Sequence, residues 1–127
     1  MTQEPESGTV VFVYGSLKRG YALHHLLASQ VWLGRAQTEP RYCLYETGEY
    51  PGTVETSRGI SVHGEVYRVS AECLRALDAA EGVEDLLYER RPICLQAPHD
   101  VLGAQAWYYL GSTAGLRECG ASWPGAV

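Results

Sequence analysis

The turn at residues 14–20 is the first segment whose residue types could do chemistry. It reads Tyr-Gly-Ser-Leu-Lys-Arg-Gly and follows residues 9–14, a run of β-branched and aromatic residues that predicts a buried strand. A glycine at such a strand end lets the backbone turn sharply and leaves successive N–H groups without strand partners. Those amides could converge on a carboxylate or an oxyanion, as they do in phosphate-binding loops. By itself, Gly15-Ser16 also fits a plain tight turn.

Glu81 is a candidate for acid–base chemistry. Residues 71–81 predict a helix that stops at Gly82, and on that helix Leu74, Leu77 and Glu81 share one face. The carboxyl group therefore extends an apolar stripe, and it lies in the last turn, where the helix dipole repels negative charge. Both effects would raise the pKa of Glu81, which suits a general acid or base near neutral pH. If the last turn frayed, the carboxyl group would point to water instead.

Tyrosines near predicted strand ends could supply hydroxyl groups to a binding site. The chain has nine tyrosines and one phenylalanine, and a tyrosine combines an apolar ring with a polar tip. Tyr50 precedes Pro51, Tyr88 begins a predicted strand, and Tyr109 ends a Trp-Tyr-Tyr run. Each hydroxyl could donate to a carbonyl oxygen or steady a carboxyl group. Each ring could also serve packing alone.

Composition and spacing argue against several other functions. The histidines and cysteines lack the spacing of zinc sites, and the Gly-x-Ser-x-Gly motif of serine hydrolases is absent. A net charge of −5 without a basic stripe argues against nucleic-acid binding. No apolar stretch reaches the about 18 residues of a membrane span, and the polar N-terminus is unlike a signal peptide. We therefore expect a cytoplasmic protein that binds no metal, with its cysteines buried apart from Cys119.

The elements that must position these residues predict one α+β domain. Runs rich in β-branched and aromatic residues predict strands at residues 9–14, 41–46, 61–69, 88–96 and 104–110. Two periodic segments predict helices, at residues 22–29 and 71–81. Residues 34–40 are expected to be a loop or an irregular strand, and residues 47–52 a turn. About six strands and two helices in mixed order favour a mixed sheet curled into a small barrel.

The ends of the chain are expected to differ from this domain. Residues 1–8 are polar and acidic and are expected to be flexible. The domain itself is expected to span residues 9–112. Periodicity vanishes after Gly111, so residues 113–127 are expected to form a loosely ordered tail.

Taken together, these segments resemble the γ-glutamylcyclotransferase-like family, in particular its γ-glutamylamine cyclotransferase and AIG2-like branch. The resemblance covers roughly residues 10 to 110, and its matching segments are residues 11–20, 41–45, 48–51, 62–67, 77–82, 88–90 and 106–109. The Tyr-Gly-Ser-Leu turn combined with Leu-Asp-x-x-Glu-Gly is far more specific than either motif alone.

The resemblance implies a barrel flanked by helices, with an active-site cavity at its mouth and no metal or organic cofactor. In the family's reaction, the α-amine of a γ-glutamyl substrate attacks its own γ-carbonyl, which closes 5-oxoproline and releases an amine or amino acid. Glu81 matches the catalytic glutamate. The backbone amides of Gly15, Ser16 and Leu17 match the turn that holds the glutamyl carboxylate.

The resemblance also assigns the aromatic residues. Tyr88 and Tyr109 align with positions that line the pocket and are expected to orient the substrate. Tyr14 is expected to support the turn at the substrate site, and Tyr50 to form a pocket wall. The implied partner is a small γ-glutamyl amine or γ-glutamyl amino acid, with no nucleic acid or membrane, and the oligomeric state stays open.

Two other functions fit the same residues. The chain could be a non-catalytic module that binds a small carboxylate or amine in the same cavity. It could also be an interaction protein that presents an exposed tyrosine-rich patch and has no cavity. Glu81 favours the enzyme, because a pure binding module does not need a carboxyl group on an apolar face at a helix end.

Overall fold

The computed structural model describes residues 8–48 and 50–124 of the 127-residue chain. These residues form seven strands: β1 (Thr9–Val13), β2 (Val31–Gln37), β3 (Tyr42–Glu46), β4 (Pro51–Glu55), β5 (His63–Val69), β6 (Tyr88–Pro92) and β7 (Gln105–Tyr109). The α-helix is α1 (Ala71–Ala80), and single 3₁₀ turns lie at His24–Leu27 and His99–Leu102. The predicted α+β class is confirmed.

The strands form one mixed sheet in the order β2-β5-β1-β7-β4-β3, and β6 pairs with β7 outside this path. β2 and β3 lie at the two ends of the order, so strand pairing does not close the sheet into a full ring. At the outer edge of the sheet, the residues at the end of β2 are hydrogen-bonded to the segment after β6. There the amide of Glu39 donates to the carbonyl of Cys94, and the amide of Gln96 donates to the carbonyl of Gln37, both at 2.9 Å.

The sheet splits beside β7. β6 runs antiparallel along the whole of β7, so β1 and β4 must share the opposite edge of that strand. Both run parallel to β7, with Val11 paired with Gln105 and Thr53 with Tyr108. Along this edge of β7, pairing with β1 therefore ends where pairing with β4 begins. The turn at residues 14–20 starts at the point where β1 separates from β7.

Side chains of β1 are buried on both faces of the sheet, as its continuous apolar run predicts. Phe12 and Tyr14 belong to one core cluster, together with Leu44 and Tyr108. The intervening side chains belong to a second cluster that includes residues of α1, and its members include Val11, Val13, Leu77, Tyr88 and Trp107. α1 therefore covers the sheet on the face that carries Val13.

Several element boundaries differ from the predictions. Residues 47–52 were expected to be a turn, yet β4 begins inside that segment at Pro51. Proline lacks an amide donor but is tolerated as the first residue of a strand. The expected helix at residues 22–29 is one 3₁₀ turn, and the expected strand at residues 88–96 ends at Pro92, which has no amide hydrogen to donate.

Residues 113–124, expected to be loosely ordered, lie against the sheet. The amide of Cys119 donates to the carbonyl of Leu44 at 2.7 Å, and the amide of His63 donates to the carbonyl of Ala121 at 2.7 Å. Cys119 is only 6% exposed, so the expectation of an exposed thiol is wrong. Apart from Gly8, the segment expected to be flexible at residues 1–8 lies outside the described residues, as do residues 125–127.

Within residues 8–48 and 50–124, no helix has the length and apolar character that a membrane crossing requires.

Candidate active site

The end of α1 sets the position of Glu81. Ser70 begins the helix as its N-cap, where its side chain accepts a hydrogen bond from the amide of Cys73 at 3.1 Å. Glu81 is the C-cap, and its amide donates to the carbonyl of Leu77 at 3.0 Å. Gly82 follows with a positive φ of 71°, which ends the helix in the left-handed region. The last turn is intact, because Leu77 is fully buried and holds it against the sheet.

Glu81 and the turn after β1 face the same narrow cleft, whose cavity volume is about 20 Å³. Its walls are residues 12–17, Tyr50, Pro51, Glu81 and Trp107. A larger open groove of about 630 Å³ lies elsewhere, and neither Glu81 nor any residue of the turn lines it. The smaller cleft is the candidate site, because it brings together the turn and a partly buried carboxyl group.

The environment of Glu81 favours the protonated form of its carboxyl group. Burial, and after it the negative charge of Asp78, raise the pKa of Glu81 to about 7. The carboxyl group makes no hydrogen bond to another described residue, so nothing in that part of the chain offsets the loss of water. The group can therefore both accept and donate a proton near neutral pH.

The turn after β1 presents unused backbone donors. Its carbonyl groups are engaged, since the amide of Lys18 donates to Gly15 at 3.0 Å and the amide of Leu23 donates to Ser16 at 2.8 Å. The N–H groups of Gly15, Ser16 and Leu17 donate no hydrogen bond to any other residue that the structure describes. Since these three residues line the cleft, their amides are available to an anionic group of a ligand.

Gly15 is required by a close approach to β4. A Cβ atom at this position would lie 2.7 Å from Cγ and 2.9 Å from Cδ of Pro51. Separations of that size are too short for carbon atoms, so a larger residue would push the turn away from Pro51. The narrow spacing of the two cleft walls thus depends on the missing side chain.

Tyr14 stabilises the split in the sheet. Its buried hydroxyl donates to the carbonyl of Trp107 at 2.6 Å and accepts from the amide of Thr53 at 3.2 Å. These backbone groups lie where β1 leaves β7 and β4 begins, and the hydroxyl satisfies both of them. Tyr14 thus lines the cleft while its hydroxyl is engaged with the sheet.

The other three tyrosines have different positions. Tyr50 lines the cleft and is 43% exposed, which places it at the rim. Tyr88 lies behind Pro51, to whose carbonyl its hydroxyl donates at 2.7 Å. The ring of Tyr109 meets that of Tyr88 edge-on at 5.7 Å and lines the larger groove instead. Of the expected site residues, the cleft therefore gathers Tyr14, Gly15, Ser16, Leu17, Tyr50 and Glu81, whereas Tyr88 and Tyr109 form a second layer.

Two further residues at the site were given no role of their own from the sequence. Trp107 forms part of the cleft wall, and Asp78 adds a second carboxylate one helical turn before Glu81. The three-residue spacing of the two acids was the available signal, because such residues are neighbours on a helix. The described residues contain no cluster of three or more histidine, cysteine or acidic side chains suited to a metal ion.

Comparisons with known proteins converge on one family. The family model described as "Gamma-glutamyl cyclotransferase, AIG2-like" matches residues 11–123. A candidate gamma-glutamylcyclotransferase of Vibrio cholerae is 41% identical to this chain over 101 residues. The match covers 80% of this chain and 80% of that protein.

Solved structures agree with the sequence comparisons. The solution structure of ytfP from Escherichia coli has a TM-score of 0.67 at 34% identity, covering 90% of this chain and 93% of that one. The crystal structure of an AIG2-like protein from Mus musculus has a TM-score of 0.69 at 27% identity, covering 87% of this chain and 84% of that one.

Proposed function

Since the chain belongs to the AIG2-like family of γ-glutamyl cyclotransferases, we propose that it cyclises the γ-glutamyl group of a γ-glutamyl amine or γ-glutamyl amino acid. The products are 5-oxoproline and the free amine. One observation carries the proposal: a carboxyl group with a pKa of about 7 shares a narrow cleft with three unused backbone amides. An intramolecular acyl transfer needs both parts.

The reaction moves two protons from one nitrogen to another. The α-ammonium group loses a proton, and its nitrogen attacks the γ-carbonyl carbon to form the ring bond. The bond from that carbon to the leaving nitrogen then breaks. The ring nitrogen keeps one hydrogen, and the leaving nitrogen gains two protons and departs as an ammonium ion. A single group that accepts and returns protons can serve both nitrogens in turn.

Glu81 is proposed as this acid and base. At a pKa of about 7 its carboxyl group is populated in both protonation states near neutral pH. Its ionised form takes a proton from the α-ammonium, and its protonated form gives one to the leaving nitrogen. Since the two nitrogens are bonded to one carbon in the tetrahedral intermediate, one carboxyl group can reach both.

The turn is proposed to hold the substrate. The amides of Gly15, Ser16 and Leu17 would bind the α-carboxylate of the glutamyl group and hold the chain folded back on itself. Holding nucleophile and electrophile in a ring-like arrangement accounts for much of the rate in an intramolecular reaction. Because Tyr50 lies at the rim of the cleft, the leaving group would extend past its ring toward solvent.

The second layer of tyrosines is proposed to act on the walls of the cleft. The Tyr88 hydroxyl fixes the carbonyl of Pro51, and Pro51 faces Gly15 across the cleft. Tyr109 packs against Tyr88 and over Gly52. These contacts support substrate orientation through the position of β4, not through a direct hydrogen bond.

The proposal is tested by measuring 5-oxoproline release from γ-glutamyl amines, γ-glutamyl amino acids and glutathione. We expect release from at least one of them, and a fall in kcat of about 10²- to 10⁴-fold in Glu81→Gln with little change in KM. Glu84→Gln is the matched control, because Glu84 is an exposed carboxyl group on the turn that follows. Unchanged turnover in Glu81→Gln would remove Glu81 from the mechanism.

A folded protein that releases 5-oxoproline from none of these compounds would reject the enzymatic proposal for them. Calorimetry with the same panel would then decide the alternative. Binding without turnover would identify a module that holds a small carboxylate or amine in this cleft.

A further inference from the structure

Asp78 lies one helical turn before Glu81, at the junction between α1 and the sheet. Its side chain is 24% exposed and takes part in a network of defined geometry. One carboxylate oxygen, Oδ1, accepts hydrogen bonds from Nε1 of Trp107 at 2.8 Å and from Nε of Arg90 at 3.0 Å. The other, Oδ2, accepts from Nη2 of Arg90 at 3.1 Å. The pair with Arg90 is therefore bidentate, which fixes both position and orientation.

The network connects three elements that meet at the site. Asp78 belongs to α1, Arg90 to β6 and Trp107 to β7, and Arg90 also donates through Nη1 to Oε1 of Gln105 on β7. Trp107 is itself a wall of the cleft. The same carboxylate thus anchors the last turn of α1, which carries Glu81, and a wall of the cavity that Glu81 faces.

We propose that Asp78 is a positioning residue of the active site: anchored by Arg90 and Trp107, it fixes the end of α1 and holds a permanent negative charge beside the carboxyl group of Glu81. This inference rests on the proposed role of Glu81 as acid and base. It extends that role by giving the chain a built-in means of keeping a proton on Glu81 near neutral pH.

The charges around Glu81 support this assignment. The titratable groups that face it are Asp78 from its own helix, Tyr14 from the turn after β1 and Tyr88 from β6. Both tyrosines are buried and their pKa values are raised, by burial first, so they are neutral near pH 7. Asp78 is then the one nearby charge among these groups, and like charges at three-residue spacing repel each other.

Arg90 sets the strength of this effect. Its guanidinium group neutralises part of the charge of Asp78 and approaches the carboxylate from the side of β6. The two members of the pair should therefore act on Glu81 in opposite directions. A purely structural tie predicts no such opposition, because loss of either partner would loosen α1 in the same way.

The test is a direct titration of Glu81 by carbon NMR of its carboxyl group, in the whole chain, with pH profiles of kcat/KM measured alongside. Asp78→Asn keeps an oxygen for Trp107 and removes the charge, so we expect the pKa of Glu81 to fall by about half a pH unit or more. Arg90→Gln exposes Glu81 to the full charge of Asp78, so we expect the pKa to rise. Asp85→Asn, at an exposed position after α1, is the control and should leave it unchanged.

Each outcome decides between the possibilities. Shifts of the same sign in both variants, or no shift in either, would overturn the proposal and leave a structural tie. If one variant fails to fold, the direction of the shift in the other decides.

This test is independent of the proposed function. The NMR titration reports on Asp78 and Glu81 even if the chain releases no 5-oxoproline. An active wild-type enzyme with an unshifted Glu81 in Asp78→Asn would reject the inference and leave the proposed function intact.

Discussion

At the residue scale, the properties that suit Glu81 to catalysis also weaken the fold. An acid whose pKa is higher in the folded chain than in the unfolded chain binds its proton more tightly when folded. Its effect on stability is absent below pH 4.5, the ordinary value, and grows until the pH passes about 7. Above that pH the folded protein holds an ionised, poorly hydrated carboxylate. The cost is about 3 kcal/mol, at about 1.4 kcal/mol for each pH unit between the two values.

Glu81→Gln should therefore stabilise the protein at alkaline pH. We expect the free energy of unfolding of the variant to exceed that of the wild type by about 3 kcal/mol at pH 8, because glutamine carries no charge to desolvate. Near pH 4.5 the two proteins should be about equally stable. Urea denaturation at both values measures the difference, with Glu84→Gln as the control that should show no pH-dependent gain.

Equal stability of the wild type and Glu81→Gln at pH 8 would show that the carboxyl group is well hydrated. Its role as an acid and base near neutral pH would then lose its physical basis. The stability experiment thus checks the electrostatics of the site without any substrate.

The sequence predicted that the pKa of Glu81 would be raised, but it missed part of the cause. The raised pKa expected from the apolar stripe of α1 is confirmed, and burial is its main source. The contribution of Asp78 was missed, although its spacing from Glu81 was visible. Its side chain could have faced water, and only the contacts with Arg90 and Trp107 show that it is held beside the site.

At the element scale, the cleft depends on how closely the turn after β1 approaches the start of β4. Gly15 and Pro51 face each other there with no room for an added carbon. This contact joins two segments that are about 35 residues apart in the chain. It places the three free amides opposite β4 and thereby sets the width of the cleft.

Gly15→Ala should widen the cleft and weaken substrate binding. The added Cβ would meet Pro51 at 2.7 Å, so we expect KM to rise by at least about tenfold, which corresponds to ~1.4 kcal/mol. Pro51→Ala removes the atoms that clash. In a double-mutant cycle the alanine at position 15 should then cost much less in the Pro51→Ala background than in the wild type.

The double-mutant cycle separates a steric clash with Pro51 from any other effect of alanine at position 15. An equal cost of Gly15→Ala in both backgrounds would mean that the contact with Pro51 is irrelevant to binding. Unchanged KM in Gly15→Ala itself would show that the amides of the turn do not hold the substrate.

Helix α1 was predicted more accurately than strand β4, because the signals that specify α1 lie within its own segment. α1 was expected at residues 71–81 and spans Ala71–Ala80, since its N-cap, apolar stripe and terminal glycine lie within the segment itself. β4 was missed because Pro51 and Gly52 have poor strand propensity. It forms because β3 pairs with it in a hairpin on one side and β7 pairs with it on the other, and the pairing with β7 is long-range.

At the scale of the whole molecule, residues 113–124 complete the fold. Three backbone hydrogen bonds connect this segment to the sheet: Glu46 to Arg117, Cys119 to Leu44 and His63 to Ala121. Nζ of Lys18 also donates to the carbonyl of Trp123 at 2.7 Å, and the rings of Tyr21 and Trp123 lie 5.3 Å apart. The segment therefore covers the edge of β3 and reaches the loop that follows the turn.

Removal of the tail should destabilise the domain. We expect a chain that stops after residue 112 to lose about 3 kcal/mol of unfolding free energy or more, at ~1 kcal/mol for each of three backbone hydrogen bonds. It should also aggregate, because the edge of β3 would be uncovered. A chain that stops after residue 120 keeps the hydrogen bonds to β3 and should lose only part of this unfolding free energy. Denaturation and light scattering measure both effects.

If the shortest chain is as stable as the full chain, the domain ends near residue 112, as its composition suggested. A loss confined to the last step, between residues 120 and 112, would place the stabilising contact at the edge of β3 alone.

What the sequence determined by itself is local or rests on a specific motif. Strand β1, helix α1 with Glu81 at its end, and the glycine turn follow from spacing and propensity over fewer than about a dozen residues. The family followed from the combination of two short motifs, and the comparisons confirm it. Each of these depends on side chains that are close together in the chain.

The tertiary structure alone decided which segments meet. It decided that β1 and β4 share one edge of β7, that Tyr14 bridges their split, and that Asp78 is bound by Arg90 and Trp107. The physical reason is that hydrogen bonds and close packing between distant segments depend on register and on which edge is free. Neither is visible in local periodicity, so the cleft that joins Glu81 to the amides of the turn exists only once the sheet has assembled.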